Sequence, residues 1–497
     1  MEIKFNETSC YCLRRAADQL QVREQTQEVR LPDAMPDIGK VLGCWGQPII
    51  RGKEWRSDSM SVSGGVMAWV LYAPEDGSQL RTLESWIPFQ LKWELPETER
   101  DGFIWAAPYL KSMDARSTSA RKLMVRANIS IWGQALEGVD VPVFYPELVP
   151  EDVQLRTASY PMELPREAGE KLFSIEEELT VPNTCPPVEN LLRYEMRLQI
   201  QEQKVMASRL VFRGKALLHI LYGSEGALHT WDWEVPFSQF ADLDRDHSAN
   251  ASARIMPVLT DLELEMAENG LQLKAGAAAQ YVIHDRTMVD VVEDAYSPLR
   301  DVQAQARELK LPMVLDRTEM GLRAEHSLRW DGQTVVDVCW MPDHLQRQQN
   351  GDIAELILPG QFQILYRDDG GAPQCSIAKY EKIVQLPADG ETVIDGFISP
   401  DGPPQYTLRG EELELSAPLQ LEAAVSARAA QTMLSGLDLG ELRQPDPGRP
   451  SMILRRCDDS SLWNLAKACG STVEAIQRAN GLEKEPEHGQ MLLIPVC

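Results

Sequence analysis

The chain has 497 residues, of which 43% are hydrophobic and 25% charged, so it is too apolar to remain unfolded and too long for one core; several folded modules of roughly 100 to 200 residues are expected. Seventy-five acidic residues against 49 basic ones give a formal charge of −26, a field that repels phosphate backbones and argues against nucleic acid as a partner. The polar Met1 to Glu7 segment shows no secretory signal, and the longest apolar stretch, around Val66 to Tyr72, falls far short of the ~20 residues of a membrane helix, so the expectation is a cytosolic chain with no membrane insertion.

In chain order, the first close cysteine pair is Cys10 and Cys12; without a second pair or nearby histidines it lacks the pattern of a metal site, and the nine scattered cysteines read as reduced packing residues. The next marker is a segment running from Glu28 through Leu31-Pro32 and Pro36 to Ile38 and Val41-Leu42. It returns from Glu178 through Val181-Pro182 and Pro186 to Val188 and Leu191-Leu192, a fixed offset of 150 residues. The prolines fix φ, lack N–H donors and push their predecessors out of the helical region, so they mark the entry to the first core strand. At the same offset, Gly64 and Leu71-Tyr72 return as Gly214 and Leu221-Tyr222. A third, degenerate copy shows Ile364-Leu365-Tyr366, but Leu358 stands where the glycine would be and no double-proline motif precedes it.

Each copy then reaches strict alternation: Leu123, Val125, Ala127, Ile129 and Ile131; Leu271, Leu273, Ala275, Ala277 and Ala279; Leu413, Leu415, Ala417, Leu419 and Leu421. Period two means strands with one buried face, and polar intervening residues such as Lys122 and Arg126 suit antiparallel sheets with one wet face. The fold class is therefore mainly β, with tandem antiparallel β-sandwich or barrel-like repeats over 1–165, 166–305 and, in degenerate form, 306–440.

Residues 441–451 are rich in proline and charge and read as a linker. From 452 to 497 the pattern changes. An apolar start at Met452-Ile453-Leu454 leads to a helix from Ser460 to Cys469, with Ser460 or Ser461 as its cap and Leu462, Leu465, Ala466 and Cys469 on one face. A second helix, capped by Thr472, runs to Ala479; Gly470 and Gly481 close the two helices, and Met491 to Pro495 forms a last strand.

The Leu-Pro-x-x-x-Pro-x-Ile/Val entry, the strand ending in Leu-Tyr, and the strand Ala120 to Ala127 resemble the SPOCS domain of clostridial spore coat assembly proteins over roughly residues 10 to 440. The string Asp459-Ser460-Ser461-Leu462-Trp463, then Asn480-Gly481-Leu482, then Gly489-Gln490-x-Leu492-Leu493-Ile494-Pro495 resembles a LysM domain of order β-α-α-β. The LysM resemblance implies a groove between the loops 459–462 and 480–482 that holds N-acetylglucosamine chains of peptidoglycan. Two departures bear on this: Cys457-Asp458-Asp459 replaces the usual Pro-Gly-Asp, and the carboxylate-rich Glu483 to Glu487 run follows the second loop. The combined resemblance implies instead that the module binds a protein, the coat morphogenetic ATPase (stage IV sporulation protein A), in the mother cell at the forespore surface, alongside other coat proteins. Leu462, Trp463 and Leu482 are then the candidate anchors, since aromatic and aliphatic groups dominate interfaces.

No phosphate-binding loop, nucleophile elbow or His-Glu-x-x-His helix is present, and the seven histidines are scattered. The expectation is a non-enzyme with no catalytic residues, cofactor or metal. Its two readings are a scaffold of spore coat assembly and a peptidoglycan-binding anchor.

Overall fold

The computed structural model describes residues 2–496 apart from 57, 97–101, 183, 269, 310, 312, 332, 388–391, 428–430, 445–447 and 458–460. The alternating segments are strands, and their apolar residues form the core; Leu123, Val125, Ala127, Ile129 and Ile131 are each 0% exposed.

The first copy consists of β1 (Glu2–Arg30), β2 (Ile38–Arg56), β3 (Ser59–Pro74), β4 (Arg81–Glu94), β5 (Phe103–Ser119) and β6 (Lys122–Pro146). The second has β7 (Gln154–Leu179), β8 (Asn190–Met206), β9 (Arg209–Ser224), β10 (Ala227–Asp242), β11 (Ser252–Ala267) and β12 (Gly270–Tyr296). The third follows the same order in shorter pieces: β13 (Val302–Leu309), β14 (Met313–Arg329), β15 (Thr334–Pro342), β16 (Gln346–Asn350), β17 (Ile353–Arg367), β18 (Pro373–Pro387), β19 (Thr392–Pro400), β20 (Gln405–Arg409), β21 (Glu412–Ala427) and β22 (Gln431–Leu439). In every copy a long first strand pairs antiparallel with the last long strand, which pairs in turn with a preceding strand, as β1-β6-β5, β7-β12-β11 and β14-β21-β19, with the short β20 also on β21 in the third. The intervening strands form a meander, β2-β3-β4, β8-β9-β10 and β15-β17-β18.

The repeated motifs do the same work in the first two copies. Met35 N donates to Pro32 O and Cys185 N to Pro182 O, each at 2.9 Å, closing a turn that joins β1 to β2 and β7 to β8. The prolines thus follow the first long strand of each of these copies and do not open it. The hydroxyl of Tyr72 donates to Pro36 O at 3.1 Å, and that of Tyr222 to Pro186 O at 3.3 Å. The Leu-Tyr strand end thus ties down the proline turn. In the third copy, whose sequence has no double-proline motif, Tyr366 packs edge-on against Trp330 at 4.9 Å.

The glycine that the third copy lacks has a local cause. Register slips between Ile50 and Gly52 in β2, and between Ile200 and Glu202 in β8, form bulges facing Gly64 and Gly214. A Cβ on Gly64 would overlap the Ile49 carbonyl oxygen and one on Gly214 that of Gln199. In the third copy the first meander strand is broken instead: β15 ends at Pro342, β16 begins at Gln346, and Leu358 fills the vacated space at 2% exposure.

The copies are not separate globules. The β2 strand packs on β11, β8 on β19 and β15 on β5, so each meander meets the next copy's hairpin and the third closes on the first. One core cluster joins Trp45 and Val70 of copy 1 to Leu192 and Leu221 of copy 2 and Cys339, Met341 and Leu365 of copy 3. The outer ends of the long ribbons meet in a second shared cluster containing Ile3, Phe5, Met162, Val291, Leu434 and Leu437, and Glu2, Ile3 and Lys4 pair with β22.

Equivalent positions face one another at the centre of this ring. Gly43, Arg193 and Asp337 each lie opposite the leucine of the repeated Leu-Tyr pair: Leu71, Leu221 and Leu365. Arg193, 1% exposed, donates from Nη2 to Asp337 Oδ2 at 2.5 Å, and its guanidinium lies 5.1 Å over the Trp45 ring. Gly43 leaves the room that this indole occupies. Trp105, Arg254 and Asp395 repeat the theme: Arg254 lies 5.1 Å over Trp105 and bonds Asp395 at 3.3 Å. In both triads copy 1 supplies tryptophan, copy 2 arginine and copy 3 aspartate.

His219 extends the first triad, with Nε2 2.9 Å from Asp337 Oδ1 and Nδ1 2.6 Å from Asp232 Oδ1. Burial opposes its charge, but Asp337 and Asp232 outweigh burial and raise its pKa to about 10. With the folded value above the ordinary ~6.5, protonation of His219 stabilises the fold fully below pH ~6.5, and that contribution is lost as pH rises through about 10. His219→Gln should therefore be most destabilising at neutral and mildly acid pH, with the gap to the unsubstituted chain closing towards pH 10. Urea midpoints measured across that range check this; a gap independent of pH would contradict it.

Candidate functional site

The C-terminal module consists of β23 (Met452–Arg456), α1 (Leu462–Cys469), α2 (Val473–Asn480) and β24 (Met491–Pro495). Its helices form where the caps require: the Ser461 hydroxyl accepts from Asn464 N at 3.4 Å and the Thr472 hydroxyl from Ala475 N at 3.1 Å, while Gly470 and Gly481 close them in the left-handed conformation. Of the two serines offered as caps, Ser461 takes the role. Leu462, Leu465, Ala466, Cys469 and Ile476 pack against Leu492 and Ile494.

Of the candidate groove residues, Asp459 and Ser460 lie outside the described residues. Leu462 N donates to Glu485 Oε2 at 3.2 Å, so a carboxylate of the charged run that follows the second loop sits at the amino end of α1, where negative charge is favoured. Leu462 is 1% exposed and belongs to the module's core. Asn480 is the last residue of α2, and its amide pairs with the edge of β24, donating to Leu493 O at 2.6 Å and accepting from Leu493 N at 2.8 Å. Gly481 is exposed and Leu482 half-buried.

Trp463 faces the ring. Its ring packs edge-on against Tyr296 of β12 at 4.8 Å, and its Nε1 donates to Asp294 Oδ2 at 2.8 Å. Lys467 Nζ lies 2.7 Å from Asp294 Oδ1, and the Tyr296 hydroxyl donates to Ser471 O at 3.0 Å. Burial raises the Asp294 carboxyl, but Lys467 and the Trp463 indole outweigh this and hold it below the usual carboxylate range. Asp294 thus latches the module to the ring. Asp294→Ala should loosen this seat by about 1 kcal/mol and raise amide exchange over 461–471 several-fold without unfolding the ring; unchanged exchange would contradict the latch.

With the Trp463 side turned inward, the β23–β24 ribbon presents a different surface. Leu454 pairs with Leu493 and Arg456 with Met491, and Met452, Leu454, Met491 and Leu493 are 50, 62, 52 and 42% exposed. Four large apolar side chains are thus gathered on one small exposed face. The strings Met452-Ile453-Leu454 and Met491-Leu492-Leu493-Ile494 carry this signal in sequence: once Ile453, Leu492 and Ile494 face inward, period two forces the intervening apolar residues outward.

Among the described residues no group of three or more histidine, cysteine, aspartate or glutamate side chains could hold a metal, and no helix is long and apolar enough to cross a membrane.

A ring of three β-copies bearing a latched β-α-α-β module is thus the class of protein that the fold defines. The family model "SipL, SPOCS domain" matches residues 187–267, which hold the β8–β10 meander and β11 of the second copy, and the LysM domain model matches residues 458–495. The chain carries a SPOCS domain and a C-terminal LysM domain, and neither family is a known catalytic one. No curated protein and no solved structure matches the chain.

Proposed function

We propose that this chain is a non-enzymatic scaffold of spore coat assembly in the mother cell, whose LysM module docks on the coat morphogenetic ATPase at the forespore surface. The SPOCS resemblance supplies the setting, and the observation that carries protein docking is the outward apolar ribbon of Met452, Leu454, Met491 and Leu493. Four such side chains on one face suit a protein partner better than a hydroxyl-rich glycan, which asks for directional polar groups. Ser461, Gly481 and Leu482 border the groove of the same module, with Leu462 and Trp463 shaping it from beneath. The ring of three copies holds this module in a fixed orientation and offers its outer faces to other coat proteins.

Peptidoglycan is the second reading, favoured by the LysM match. The two readings separate experimentally. Leu454→Glu with Met491→Glu alters exposed positions only, so the fold should persist while affinity for the purified ATPase falls by roughly 100-fold or more, the scale of a lost interface anchor pair. Sedimentation with purified cell-wall sacculi should be unaffected. Undiminished ATPase binding by this variant would remove the ribbon from the interface, and strong sacculus binding without ATPase binding would favour the anchor.

A further inference from the structure

The three meanders bring equivalent turns to one end of the ring. The turns at 75–80, 225–226 and 368–372 surround a depression of about 320 Å³. Each turn carries one left-handed glycine, Gly77, Gly226 and Gly371, with φ of 72°, 75° and 79°, so the rim is largely backbone. Asn190 of copy 2 donates from Nδ2 to Leu80 O of copy 1 at 2.7 Å, fixing two of the turns to each other. Leu80, Leu192 and Leu228 make the apolar part of the lining.

Two polar groups there are left over. Ser224 is 1% exposed, and its hydroxyl has no hydrogen-bond partner among the described residues. Arg367 is half-buried and is the one charged side chain among the described residues of the lining; no described carboxylate pairs with it. The nearby Asp368 carboxylate is engaged by Gly370 N, Ala372 N and Gln374 Nε2. A guanidinium cannot shed its proton, and a buried hydroxyl is rarely left unpaired.

We propose that this depression binds a small organic monocarboxylate. Its carboxylate is taken by Arg367, whose planar fork matches that group, and by the Ser224 hydroxyl, while its apolar body lies on Leu80, Leu192 and Leu228. The exposed Glu75, Asp76 and Glu225 at the rim disfavour multiply charged anions.

Isothermal titration calorimetry of the full chain with benzoate, acetate and inorganic phosphate tests this. Benzoate should bind at millimolar or lower concentration and at least tenfold more tightly than acetate or phosphate. Arg367→Gln should weaken benzoate at least tenfold with an unchanged unfolding midpoint. Ala227→Phe, which fills the depression from a half-buried position, should abolish binding. The proposal is overturned if benzoate gives no heat, if phosphate or acetate matches it, or if either variant binds benzoate as the unsubstituted chain does.

Discussion

Asp337→Leu is expected to lower the stability of the chain by about 3 to 5 kcal/mol, the cost of stranding a buried charge. Arg193 is 1% exposed and Asp337 4%, and a guanidinium, unlike a carboxyl or an imidazole, has no neutral form to retreat to at any pH the fold survives. Its neighbour Glu195 already serves Arg197 Nη2 at 3.1 Å and Cys339 Sγ at 3.0 Å. Burial disfavours charge on Asp337, yet Arg193 and His219 outweigh it and hold the carboxyl well below its usual range, which marks the strength of the pairing. Asp337→Leu combined with Arg193→Met should recover most of the loss, because an apolar pair of similar volume needs no partner. Urea unfolding of the two single variants and the double variant gives the coupling; additive losses would mean that the pair does not interact as the geometry indicates. The pair also joins copy 2 to copy 3, so the Asp337→Leu loss should appear in the cooperative unfolding of the whole ring.

Gly64→Ala is expected to cost about 3 kcal/mol or more, because the added Cβ meets the Ile49 carbonyl across a bulge and the Phe89 ring at 2.9 Å, and backbone cannot move aside as a side chain can. Gly52→Ala is the control: its new Cβ meets only the Ser63 hydroxyl at 2.9 Å, which can rotate away, so the loss should stay under about 1 kcal/mol. Thermal or urea midpoints of the two variants decide the matter. Equal effects would show that the bulge carbonyl does not explain why glycine stands at 64 and 214.

What the sequence disclosed follows from which interactions are local or repeated. Alternation disclosed the strands, because burial of one sheet face leaves a period of two. The fixed offset disclosed a second copy, because Tyr72 and Tyr222 need the same proline carbonyl. The C-terminal helices were legible from Ser461, Thr472, Gly470 and Gly481, each acting within its own turn. Ring closure was not legible. It depends on Gly43, Arg193 and Asp337, positions that are equivalent but deliberately unlike, and a search for repeats discards such differences. The third copy looked degenerate because its markers are the ones that a broken strand makes unnecessary: with the chain leaving the sheet between Pro342 and Gln346, leucine fits where glycine was required. Trp463 was read as a candidate anchor for a partner, whereas its bond to Asp294 spans 169 residues of sequence and has no local signature.

The measurement that tests the central claim most directly is the binding of the purified full chain to the purified coat morphogenetic ATPase, set beside its binding to cell-wall sacculi and repeated with residues 452–497 removed. The account predicts ATPase binding by the full chain, its loss on removal of the module, and little retention on sacculi. Binding to sacculi alone, or ATPase binding that survives removal of the module, would contradict it.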